Sequence, residues 1–158
     1  MRFLDANVFI YAYYKPKRQL TQKEKQMKDY AKRIVNDISQ GKERVMTTVV
    51  HISEIVNILK HGMSIEELAK LITGLLMLEN VEIHGVPKEV YFAAVELSRD
   101  LKIDPNDALA VDTMKTNNIA EIYSFDEDFD KIEGITRLPN VQNTVSLECS
   151  PPGGQKES

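Results

Sequence analysis

A chain of 158 residues with 42% hydrophobic content suits one domain of ordinary size and supplies a core, which excludes global disorder. Its formal charge of −4 argues against a generic nucleic-acid binder, and no apolar stretch approaches the ~20 residues a membrane-spanning helix needs. The single cysteine, Cys149, excludes an internal disulfide and a cysteine-based zinc cage.

Met1-Arg2-Phe3-Leu4-Asp5 puts a carboxylate where a signal peptide requires an uninterrupted apolar segment, so the chain reads as cytoplasmic. Arg2 to Asp5 is a short apolar strand ending on an acid, and Val8, Phe9, Tyr11 and Ala12 continue as a helix that stops before Pro16. Thr21 and Glu24 have capping-box spacing. Behind them Met27, Tyr30, Ala31, Ile34, Val35 and Ile38 form a helical apolar stripe up to Gly41, which turns Lys25, Lys28 and Lys32 away from the core. Val45 to Val49 reads as a second strand, followed by a helix through Ile52, Ile55, Val56 and Leu59 that closes at Gly62. Ser64 and Glu67 make a second capping box, for a helix with Ile65, Leu68, Ala69, Ile72, Leu75 and Leu76 inward.

Val81 to His84 alternates like a strand, and Pro87 opens a helix using Val90, Ala94, Leu97 and Leu101. Asp104-Pro105-Asn106-Asp107 starts a helix whose Ala108 to Val111 run is apolar nearly all round and therefore buried. Ile119 to Phe125 is a strand, Asp126 to Ile132 a turn into a short helix, and Ile135 to Leu138 an edge strand. Strands alternating with helices predict an α/β fold with a largely parallel sheet covered on both faces. The domain is expected over residues 1–147, with 148–158 a disordered tail.

Charge is spread unevenly along this pattern. Residues 15 to 33 carry eight bases and two acids, whereas 121 to 133 carry six acids and one base, Lys131. Either run alone is best explained as solvated surface; together they match an enzyme that acts on a polyanion. Lys15, Lys17, Arg18 and Lys25 are the candidate contacts to that polyanion. Ligands in open α/β sheets collect beyond the carboxyl ends of the strands. Asp5, Asp107 and Asp126 fall at such points, and Glu54 lies early in the helix after the second strand. Two carboxylates about 4 Å apart repel by on the order of 4 kcal/mol at an effective dielectric near 20. A hard divalent cation removes that penalty, so acids gathered at strand ends point to metal-assisted phosphodiester hydrolysis.

Four segments in series resemble the motifs of the PIN domain family over residues 1–140. They are Phe3-Leu4-Asp5-Ala6-Asn7-Val8-Phe9-Ile10, Thr47-Thr48 through Ser53-Glu54, Asn106-Asp107-Ala108-Leu109, and Ser124-Phe125-Asp126-Glu127-Asp128-Phe129. The resemblance implies a three-layer α/β/α fold with a central, mainly parallel sheet. It also implies a Mg²⁺- or Mn²⁺-dependent endoribonuclease of VapC-toxin or RNA-processing type. Carried over by position, it makes Asp5, Glu54, Asp107 and Asp126 the catalytic metal-site acids, with Asn7, Thr48 and Asp128 in support. It further implies a homodimer and, for a toxin, a small antitoxin protein that covers the acidic site with an arginine.

Each residue also has a plainer role to weigh. Asp5 and Asp126 are suited to cap the helices that follow them, Glu54 to an ordinary helix surface, and Asp107 to reach back to its own helix cap. Asp128 and Asp130 compete with Asp126 for the fourth acidic position. His51, His61 and His84 lack metal-ligand spacing and read as surface residues, and Tyr11 as core with Tyr13 or Tyr14 exposed. Two other functions remain open: a non-catalytic PIN-like module that binds RNA or protein, and a phospho-acceptor domain with Asp5 as nucleophile and Lys131 nearby.

Overall fold

Side chains alternate across a strand, so Phe3 and Leu4 on β1 (Arg2–Leu4) face opposite layers. In the computed structural model, which describes residues 1–139, that alternation divides two cores. The expected domain end at 147 and the tail at 148–158 lie outside the described residues.

Leu4 packs on one side with Val45, Val81 and Tyr123, beneath α1 (Ala6–Tyr13), α2 (Gln22–Ser39), α3 (Val49–Leu59) and α4 (Ile65–Leu76). Phe3 packs on the other with Met46 and Ile122, beneath α5 (Lys88–Leu101) and α6 (Pro105–Thr116). Three layers result. Leu4 is 1% exposed, and truncating such a side chain to alanine costs roughly 2–5 kcal/mol.

The sheet has the order β3-β2-β1-β4-β5 and every pairing is parallel. Its other strands are β2 (Val45–Thr48), β3 (Val81–His84), β4 (Glu121–Tyr123) and β5 (Thr136–Leu138). β4 is shorter than the apolar run around it: Ile119 precedes the ladder, and Ser124 and Phe125 leave it to shape the loop beyond. β1 lies between β2 and β4, so strand order reverses at the β1–β4 crevice, where such sheets hold ligands.

Both capping boxes form. Thr21 Oγ1 accepts from the Glu24 amide at 3.1 Å while Glu24 accepts from the Thr21 amide at 2.9 Å, and Ser64 and Glu67 do the same for α4. Pro87 caps α5 rather than occupying its first turn. Lys28 departs from the outward orientation its helix position predicts. Its ammonium folds onto the last turn of α1 and donates to the Tyr11 carbonyl at 3.0 Å and the Tyr14 carbonyl at 2.7 Å, satisfying acceptors the helix end leaves free. Ala108 to Val111 are all fully buried, as their unbroken apolarity predicts. No helix among the described residues is long and apolar enough to cross a membrane.

Candidate active site at the β1–β4 switch point

Asp5 follows β1 directly and caps α1, its Oδ1 accepting from the Ala6 amide at 2.8 Å. The other oxygen, Oδ2, accepts from Ser124 Oγ at 2.7 Å. Ser124, just past β4, also takes the Asp126 amide at 3.0 Å and the Asn7 side-chain amide at 3.4 Å. One hydroxyl offers one donor and two acceptor sites, and all three are used. Asn7 completes the link by accepting the Phe125 amide at 3.3 Å. The ends of β1 and β4 are thereby pinned to each other, which sets Asp126 beside Asp5.

Asp107, Asp126 and Asp128 each present a carboxylate oxygen, all within 4.8 Å of one another. Asp5 stands outside that trio but feels the charge of Asp126, and Glu54 in turn feels that of Asp5. Burial pushes the Asp5 carboxyl up to about 6; Ser124 and the Ala6 amide oppose the rise, and the charges of Asp126 and Asp104 add to it. Glu54 is pushed up to about 7 by burial, then by Asp5 and Asp104, against a hydrogen bond from the Asn106 side chain. Asp107 is raised furthest, to about 8, by burial first and then by Asp5 and Asp126. These three acids hold their protons above the ordinary carboxylate range because like charges share a poorly hydrated space.

Among the described residues, no lysine, arginine or histidine nitrogen makes an ion pair with Asp5, Glu54, Asp107 or Asp126. Glu54 Oε1 is buried without a hydrogen-bond partner among the described residues. Hard, negative oxygen donors, unneutralised and with one orphaned acceptor, fit a divalent cation.

The neighbouring acids separate by their partners. Asp130 is clamped by Arg137 through two bonds of 2.9 Å and stays out of the trio. Lys131 pairs with Asp128 at 3.0 Å, away from Asp5. Asp126 caps the 3-10 helix Glu127–Lys131 and accepts the Asp128 amide at 2.9 Å. Capping and clustering coexist here, because capping occupies one carboxylate oxygen. The cap of α6 is made by Asp104, which accepts the Asn106 amide at 2.7 Å.

Three residues outside the nominated set shape the site. His51 is not a surface residue: it is 1% exposed, with Nδ1 2.7 Å from Thr48 Oγ1 and Nε2 3.2 Å from the Asn106 carbonyl oxygen. Its spacing of three from both Thr48 and Glu54, on one helix face, is the signal in the sequence. Asp104 adds negative charge felt by Asp5, Glu54 and Asp107. Ser124 carries no such signal, since its three bonds depend on the crevice. In the basic segment Lys15, Lys17 and Lys25 are exposed, whereas Arg18 forms a two-pronged pair with Glu24 at 2.6 and 2.8 Å. Tyr11 is half-buried against Phe125, and Tyr14 is exposed.

Comparison with known proteins agrees with this architecture. No curated protein sequence matches the chain significantly. Mycobacterium tuberculosis VapC20, a sarcin-ricin-loop-cleaving toxin, superposes with a TM-score of 0.63 at 20% identity, covering 82% of this chain and 93% of its own. A toxin–antitoxin complex from Klebsiella pneumoniae contains a chain that superposes with a TM-score of 0.55 at 14% identity, covering 86% and 96%. The family profile described as PIN domain matches residues 2–135, from the first strand to the edge of the last, and so this chain belongs to the PIN domain family.

Proposed function

We propose that this protein is a metal-dependent endoribonuclease, the toxin of a toxin–antitoxin pair, with Asp5, Glu54, Asp107 and Asp126 as its catalytic, metal-holding acids. One observation carries the proposal: Asp107 and Asp126 lie within 4.8 Å of each other beside Asp5 at the sheet's switch point, Glu54 feels the charge of Asp5, and none of the four is paired with a cationic side chain among the described residues. Membership of the PIN family and the fold shared with an RNA-cleaving toxin support the same reading.

Asp107, Asp126 and Asp128 offer carboxylate oxygens within 4.8 Å of one another. Asp5 is the most rigidly oriented of the acids, both of its oxygens being engaged by Ser124 and the Ala6 amide. Glu54 presents its free Oε1 from the α3 side. Thr48 caps α3 and Asn7 braces Ser124, so each supports the cluster without joining it. When bound, Mg²⁺ or Mn²⁺ supplies Lewis acidity and charge neutralisation for phosphodiester hydrolysis. Asp5, Glu54, Asp107 and Asp126 would hold such an ion, and an ion held by a few carboxylates commonly keeps waters and substrate phosphate oxygens. Lys15, Lys17 and Lys25, with Arg18, draw the RNA backbone across the exposed face. A small antitoxin would place a cationic group on the acidic crevice, and a homodimer would join two such grooves.

RNA incubated with the purified protein should be cut in the presence of Mn²⁺ or Mg²⁺. EDTA or Asp5→Asn should stop the reaction. Cleavage that persists in either control contradicts the mechanism, and RNA binding without turnover identifies a non-catalytic module.

A further inference from the structure

Glu54 on α3 and Asp107 on α6 both feel the charges of Asp5 and Asp104, and between these two helices runs a neutral hydrogen bond from His51. His51 sits one turn before Glu54 and edge-on to Phe3, with ring centroids 5.1 Å apart. The Asn106 carbonyl can only accept, so His51 Nε2 carries the hydrogen and Nδ1 accepts the Thr48 hydroxyl. Burial pushes the imidazole down to about 4, so the ring is neutral across physiological pH.

Asn106 is restrained at three of its polar atoms. Its carbonyl takes His51, its amide N–H goes to Asp104, and its Oδ1 accepts from Tyr91 hydroxyl at 2.6 Å. Its side chain also opposes the rise of the Glu54 carboxyl, and Asp107 is the next residue. A chain of neutral hydrogen bonds thus runs from Thr48 through His51 to Asn106, and Tyr91 joins it at Asn106.

We propose that His51, Asn106 and Tyr91 form a neutral positioning clamp that presets Glu54 against Asp107 for divalent-cation binding, an inference resting on the metal-site reading above. The clamp residues touch neither cation nor substrate. A neutral restraint suits this place because a charged one would compete with the cation or add to the repulsion. Partners that orient metal ligands are commonly worth 10–100-fold in affinity.

The test is a Mn²⁺ titration of the full chain followed by electron paramagnetic resonance, without RNA. Tyr91→Phe removes one hydroxyl and should weaken Mn²⁺ binding about fivefold with little change in melting temperature. His51→Leu should weaken it by about tenfold or more, and His51→Gln, whose amide can still donate to the Asn106 carbonyl, should recover most of the loss. Wild-type affinity in both Tyr91→Phe and a folded His51→Leu overturns the clamp while leaving the metal site standing. If His51→Leu does not fold, Tyr91→Phe alone decides. A wild-type chain that binds no Mn²⁺ overturns the metal site and the clamp together.

Discussion

The two ends of β1 carry opposite electrostatic solutions only three residues apart. At the amino end Arg2 is an internal counter-ion: it pairs with Glu43 at 2.6 Å and Glu121 at 3.1 Å, and donates to Tyr123 hydroxyl at 2.7 Å. At the carboxyl end Asp5 meets more acids, and each of Asp5, Glu54 and Asp107 is pushed upward in pKa. Carboxylates that bring their own cation are structural, whereas carboxylates gathered without one are, on the function proposed above, left for a cation from outside. The same contrast recurs within the last acidic run, where Arg137 retires Asp130 and Asp126 stays available.

The strongest way to break that contrast is to neutralise one of the unpaired acids. Asp107→Asn should lower RNA cleavage by on the order of a thousandfold, the scale of losing a group aimed at developing charge. In EDTA at pH 8.5 the same substitution should raise the melting temperature, because it relieves repulsion. A drop in that temperature, measured by calorimetry, would make Asp107 structural and end the comparison.

Next in size is the pH dependence of stability in EDTA. Folded Glu54 and Asp107 hold protons up to about 7 and about 8, while unfolded carboxylates release them near ~4. The folded state therefore binds more protons across that interval, and stability should fall as pH rises through 7 and 8. His51, pushed down to about 4, works in the opposite sense only below its unfolded value of about 6.5. Thermal melts from pH 6.5 to 8.5 should decline in EDTA and flatten with saturating Mn²⁺. A flat profile in EDTA removes the case for unneutralised acids.

At the other end, Arg2→Met should cost about 1–3 kcal/mol, since Glu43 and Glu121 lose their partner in a half-buried place. Denaturant titration checks the loss, and Mn²⁺ affinity should not change. The smallest effect concerns the basic segment. Lys15→Ala with Lys17→Ala should flatten the salt dependence of RNA binding by about 1.4 in log–log slope, without altering the metal site. An unchanged slope would move the RNA path elsewhere.

Much of the fold is legible in the residue order because its signals are local. Capping boxes at Thr21 and Ser64, the stripe from Met27 to Ile38 and the apolar run at Ala108 to Val111 all act over one or two turns, and each appears where its pattern predicts. Three of the candidate acids have a local signal too, since Asp5 and Asp126 follow strands and Asp107 begins a helix, whereas Glu54 lies inside α3 with none. Other features are long-range. Ser124 matters because β4 lies beside β1, 119 residues earlier. His51 is buried because α6 arrives over it with the Asn106 carbonyl. Lys28 turns inward because the frayed end of α1 offers it carbonyls.

Periodicity and turn chemistry are therefore enough to specify an alternating α/β chain with acids at its strand ends, because hydrophobic spacing and caps are read within a few residues. Which of those acids share one space, which are disarmed by an arginine, and which neutral side chains hold them there depend on strand order and layer packing. Coulomb repulsion and hydrogen bonding act through distance in space, and only the folded chain determines that distance.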